Sequence, residues 1–196
     1  YFPESIDDAY ITLRFSKNVS IGNGPVFNIG ERVEGYSNPF WMILLSSFGD
    51  TVIPMEMAMK FLGLISGIGS LLITWRIADK WFKSDSAVGA PVILLELSSF
   101  FAVWSVDGLE TMFYTMLITA LVYMLATDST SSILIGIVAG VVAVTRPEGS
   151  MFALITVVYL TFRNGHNSGF KALLPIAVCA GGYELFRYLY FGEFVS

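Results

Sequence analysis

DDAYITLRFSKNVSIGNGPVFNIGERVEGYSNPFW, residues 7–41, sets two adjacent carboxylates at the start of a short amphipathic segment, passes through turn-rich sequence, and delivers the chain into apolar residues. A polar, ordered segment that ends at a hydrophobic run reads as an extracytoplasmic loop held against a bilayer surface. Ser5-Ile-Asp-Asp8 has the form of a capping box, which predicts a helix from about Ile6. Ile11, Phe15 and Val19 recur every four residues as an apolar stripe, with Asp8, Thr12 and Arg14 turned away from it. Such a helix is expected to lie on the membrane rather than cross it. Gly22-Asn-Gly24 ends it, Asn28-Ile-Gly30 supplies a second turn suited to a small hairpin, and Pro39 opens a short apolar helix with Phe40 and Trp41 at the interface.

The rest of the chain fixes the class. With 55% hydrophobic residues, 14% charged residues and a mean hydropathy of +0.67, the protein is too apolar for an ordinary soluble domain. The expected fold is all-α, a polytopic transmembrane helical bundle. Residues 1–54 are expected to form an extracytoplasmic loop with interfacial helices, and 55–196 a bundle of five to six hydrophobic segments. The sequence reads as a fragment, with further helices expected before residue 1 and after 196. A net charge of -5 without a basic cluster makes nucleic acid an unsuitable partner. Cys179 stands alone, so no internal disulfide is available.

Spans are predicted over residues 55–77, 87–106, 112–126 and 172–188, with Arg76, Lys80 and Lys83 marking a cytoplasmic end. Runs 133–144 and 151–162 are each too short to cross, and Thr145-Arg-Pro-Glu-Gly149 lies between them. They read as a helical hairpin with a polar tip. This threading gathers Asp7, Asp8, Glu31, Glu34, Asp107, Glu110, Arg146, Glu148, Arg187 and Glu193 on the outer face. A charge at membrane depth costs roughly 2.5–3.5 kcal/mol, so Arg146 and Glu148 need each other, a neighbouring helix or a polar cavity. Arg also presents a planar fork to phosphate oxygens. Glu96 reads as a structural carboxyl within its span, His166 as a solvated cytoplasmic residue, and Asn18-Val-Ser20 has the N-glycosylation pattern.

Taken alone, Asp7 and Asp8 are what the first turn of a helix favours. In series, DDAYITLRF, NIGERVEGYSNPFW, GLET, TRPEG and YFGEF resemble the GT-C superfamily of membrane glycosyltransferases, and within it the terminal arabinofuranosyltransferases of mycobacteria and related prokaryotic proteins. The resemblance implies an acidic pair, here Asp7 and Asp8, in the first outer loop of a multi-pass plasma-membrane protein. It also implies a polyprenyl-phosphate-linked sugar donor, a cell-envelope glycan or glycolipid acceptor, and chemistry on the extracytoplasmic face. One of the two aspartates, with Asp7 favoured, then acts as general base on the acceptor hydroxyl in an inverting displacement.

The departing phosphate calls for a cation. Arg146 is the first candidate, followed by Arg14, which has Glu31 and Glu34 as alternative partners, and Arg187, which has Glu184 one turn back. Glu34, Gly35, Tyr36 and Asn38 are expected to shape the site; Tyr36 and Trp41 either stack on sugar or prenyl chain or anchor the interface. Asp7, Asp8 and Glu110 are oxygen donors of the kind Mg or Mn takes, yet no spacing demands a metal, and none is expected to be required. Two other classes compete. A secondary transporter would carry its polar groups at the midplane of broken helices, and a non-catalytic lipid-binding subunit would tolerate loss of both aspartates.

Overall fold

The computed structural model describes residues 7–127 and 130–192. The expected helix start at Ser5 and Ile6, as well as Asp128 and Glu193, lie outside them. Among the described residues there is no strand, so the turn at 28–30 closes no hairpin. The all-α expectation holds. Among the described residues two helices are long and apolar enough to cross a membrane, Met55–Trp81 and His166–Phe191, and a bent pair makes a third if it is one span. Two compact units divide the chain, one of residues 7–9 and 56–127 and the other of residues 10–55 and 130–192.

The first unit is built on α3 (Met55–Trp81), followed by α4 (Asp85–Glu96), α5 (Ser99–Val106) and α6 (Thr111–Ala126). Helix α3 buries small residues, among them Ala58, Gly63, Ser66, Gly67 and Ser70, and exposes Phe61, Ile65, Ile68 and Leu72. Small residues inside and large apolar ones outside is the pattern of a helix whose backbone approaches its neighbours in lipid. A Cβ on Gly63 would stand 2.7 Å from the Ser105 carbonyl, and one on Gly67 2.7 Å from Ser105 Oγ. The buried hydroxyls of Ser66 and Ser70 donate back to Leu62 and Ser66 carbonyls, so no donor is stranded.

The continuous span expected over 87–106 is broken. Helices α4 and α5 meet at 62°. Pro91 weakens the ladder before the break, and Ser98 restarts it as an N-cap whose Oγ accepts from Phe101 N at 3.4 Å. Glu96 is therefore the exposed last residue of α4, not a mid-span carboxyl. Helix α6, at 16 residues, falls short of the roughly 20 needed to cross, and Lys80 Nζ caps its end by donating to the Ala126 carbonyl at 2.7 Å.

The second unit carries α1 (Asp7–Ser20) from Tyr10 onward, α2 (Pro39–Ser46), the hairpin α7 (Ser132–Thr145) and α8 (Gly149–Asn164), α9 (His166–Ile176) and α10 (Gly182–Phe191). A π-turn, Ala177–Gly181, joins the last two into one run of 26 residues. It follows Pro175, whose missing N–H and ring are accommodated by widening the ladder. Helices α7, α8 and α9 pack as a tight trio at glycines. A Cβ on Gly136 would collide with the Ala172 backbone, and one on Gly149 with the Val142 carbonyl.

Three sequence expectations are corrected here. On α1 the buried face includes Thr12, Ser16 and Asn18, while Ile11 is exposed. The reason is hydrogen bonding. Thr12 Oγ1 and the Asn38 amide meet at 3.2–3.3 Å, and Ser16 Oγ donates to the Thr12 and Met42 carbonyls. Trp41 is fully buried and anchors no interface. Asn18 is buried with its amide donating to the Val26 and Phe27 carbonyls at 2.6 and 3.0 Å, which withdraws the glycosylation pattern from use.

Candidate functional site

In the second unit the extended loop before Pro39 is pinned on both sides. Tyr36 packs edge-on against Phe15 at 5.0 Å between ring centroids and joins it in a buried cluster with Met42. A Cβ on Gly35 would come within 3.2 Å of the Phe15 ring, so a side chain there would have to shift the ring or the loop by a few tenths of an ångström. On the other side the loop is tied to α10. Tyr183 donates its hydroxyl proton to Glu34 Oε1 at 2.5 Å, and Arg187 Nε and Nη2 both donate to Glu34 Oε2 at 2.8 Å. Arg187 Nη1 also bridges to Glu184 at 3.1 Å, one turn back. Arg32 lies over the Tyr190 ring at 4.8 Å and extends the same seam.

A cavity of about 280 Å³ opens between this seam and the hairpin tip; Glu34, Tyr36, Ser37, Arg146, Ser150 and Arg187 are among its lining residues. Beside it lies an apolar cavity of about 460 Å³, walled by Phe40, Ile43, Val141, Cys179 and Phe186 among others. Tyr36, Pro39, Val144 and Tyr183 line both. A polar chamber and an apolar one thus share a wall.

The electrostatics of the two ends differ. Arg187 is held by two carboxylates and is 11% exposed, as Glu34 is 9% exposed. Arg146 Nε pairs with Glu148 Oε1 at 2.7 Å, but at 34% and 47% exposure this pair is worth at most about 1 kcal/mol. Slight burial works to raise the Glu148 pKa; a backbone amide and Arg146 outweigh it and hold the carboxyl below its ordinary value. Burial pushes the Tyr36 phenol well above its usual range; the Tyr183 hydroxyl beside it opposes the rise, and the weaker effects of the Glu34 carboxylate and the Arg187 guanidinium act in opposite directions.

Of the residues singled out in the sequence, the structure brings Glu34, Tyr36, Arg146 and Arg187 to one chamber. Glu148 stands beside it as the partner of Arg146. Arg14 is exposed and donates from Nε to the Phe27 carbonyl at 3.2 Å, while Asn38 is buried against Thr12. Asp7 and Asp8 are exposed in the first turn of α1 and belong to the first unit, as does Glu110, which is 5% exposed. Tyr183, Ser37 and Ser150 were not read from the sequence. Tyr183 had a signal, since it precedes Arg187 by four positions on one helix face. The two serines had none. Among the described residues no three His, Cys, Asp or Glu side chains gather as a metal site.

No family model matches the chain, and no solved structure does. Two curated proteins are similar over part of it. A stretch of 91 residues, 43% of this chain, is 36% identical to a terminal beta-(1->2)-arabinofuranosyltransferase of Mycobacterium tuberculosis, and it covers 14% of that protein. A stretch of 71 residues, 33% of the chain, is 38% identical to the enzyme of the same name from Corynebacterium glutamicum, covering 10% of it. The chain therefore spans a small fraction of the length of the relatives it matches, and its similarity is to part of each.

Proposed function

We propose that this chain is part of a multi-pass membrane glycosyltransferase of the GT-C kind, which moves a sugar from a polyprenyl-phosphate donor to a cell-envelope glycan or glycolipid. The observation that carries the reading is the shared wall. A donor of this class is a polar head on a long apolar tail, and the second unit offers a 280 Å³ chamber with Arg, Glu and Ser beside a 460 Å³ chamber lined by apolar side chains. The partial identity to arabinofuranosyltransferases supports the same class.

In this reading Asp7 or Asp8 takes the proton of the acceptor hydroxyl as its oxygen attacks the anomeric carbon. The bond from that carbon to the phosphate oxygen breaks in line, giving inversion, and the polyprenyl phosphate leaves with the electron pair. Arg146 meets that charge better than Arg187. Its exposed partnership with Glu148 is weak and easily exchanged, whereas Arg187 is already committed to Glu34 and Glu184. The chemistry takes place on the extracytoplasmic face and requires no metal.

The test is sugar transfer from polyprenyl-phosphate donors by the intact protein, with and without EDTA, comparing wild type with Asp7→Asn and Asp8→Asn. Loss of the true base is expected to lower turnover about 10²-fold to 10⁴-fold. Undiminished turnover in both variants would remove the aspartates from the mechanism, and loss of turnover in EDTA would restore a metal to it.

A further inference from the structure

We propose that the Tyr36 hydroxyl is a specificity-determining donor to the bound lipid, reserved for a phosphate oxygen at the junction between polar head and apolar chain. The inference rests on the donor class proposed above and assigns one atom within it. Tyr36 is 8% exposed, and its oxygen is buried without a hydrogen bond. A hydroxyl left in that condition is costly, and native folds rarely keep one without a use. The residue lies in the wall common to both cavities, where the head of an amphiphile gives way to its chain.

The neighbours narrow the role. The Tyr36 ring packs against Phe15 and Phe191, at 5.0 and 6.5 Å, so it is engaged in the fold rather than offered to a sugar for stacking. The Tyr183 phenol is the nearest polar neighbour and eases ionisation of Tyr36, but the two hydroxyls do not meet in hydrogen-bonding geometry and the Tyr183 proton is given to Glu34. Of the two phenols in the wall, Tyr36 therefore holds the uncommitted proton. Burial keeps that phenol protonated throughout the physiological range, as a donor must be. A phosphate oxygen is the acceptor that rewards it most, because a bond to a charged group is the stronger kind.

The experiment uses the intact protein in nanodiscs, wild type and Tyr36→Phe, with three probes: undecaprenyl phosphate, undecaprenol and inorganic phosphate. The variant is expected to bind undecaprenyl phosphate about ten-fold or more weakly, to bind undecaprenol within about two-fold of wild type, and to melt no lower than wild type without ligand. The last outcome separates this role from a structural one, since removing a satisfied hydroxyl lowers the melting point. Equal affinity of both proteins for undecaprenyl phosphate overturns the proposal, as does an early-melting variant. Inorganic phosphate bound as tightly as the lipid would overturn the junction. Transfer by the wild type is scored separately. Its absence ends the glycosyltransferase reading, whereas transfer with no phosphate-dependent difference between the two proteins ends only the role of Tyr36.

Discussion

Arg187 faces two carboxylates from different parts of the chain, and its removal is expected to be felt far from its own helix. Replacing it with Met leaves Glu34 buried with only the Tyr183 proton for compensation. An uncompensated buried charge of this sort costs about 3–5 kcal/mol. Arg187→Met should therefore lower the melting midpoint in detergent sharply, and adding Glu34→Gln should recover part of the loss; an Arg187→Met protein as stable as wild type would show that the seam carries no energy. These residues differ in how far the sequence exposed them. Glu34, Arg146 and Arg187 were legible because charge is scarce in an apolar chain and each charge demands a reason. Thr12, Ser16 and Asn18 were not, because hydropathy assigns polar residues to the outside, and their burial depends on acceptors at 26–27, 38 and 42 that only the fold brings within reach.

At the scale of elements, the hairpin α7–α8 was visible as two short apolar runs around a Pro, and the structure places its ends within two residues of those read from the sequence. The bend between α4 and α5 was not, since the run 87–106 stays apolar on average across Glu96 and the two serines after Leu97, and hydropathy is blind to direction. Ser98 before an apolar run was the available signal. What holds the trio α7, α8 and α9 is the absence of side chains. Gly136→Ala drives a methyl into the Ala172 backbone, which cannot yield without parting α7 from α9. The expected cost is about 1–3 kcal/mol of overpacking strain. Gly182→Ala is the control: it sits at ordinary helical angles with nothing within 4 Å of a new Cβ, and should be neutral or stabilising by about 0.5–1 kcal/mol. Thermal melting of both variants reads the difference, and equal midpoints would deny the close approach.

For the molecule as a membrane protein, the decisive length is in the second unit. Glu34 fixes the polar loop to Arg187, and His166 begins the same helical run. About 32 Å of helix separates those two points at 1.5 Å per residue, which matches a hydrocarbon core of about 30 Å. If the run crosses, residues beside Glu34 and residues beside His166 must face opposite compartments. Glu31 and Asn167 are both exposed and suit the measurement. In a Cys179→Ser background, Glu31→Cys should react with an impermeant maleimide on intact cells, and Asn167→Cys only after permeabilisation. The reverse pattern would keep the crossing and move the polar chamber to the inner face. Reaction of both from one side would show that His166–Phe191 does not span, and the chamber would then lie at no membrane surface from which a polyprenyl chain can enter.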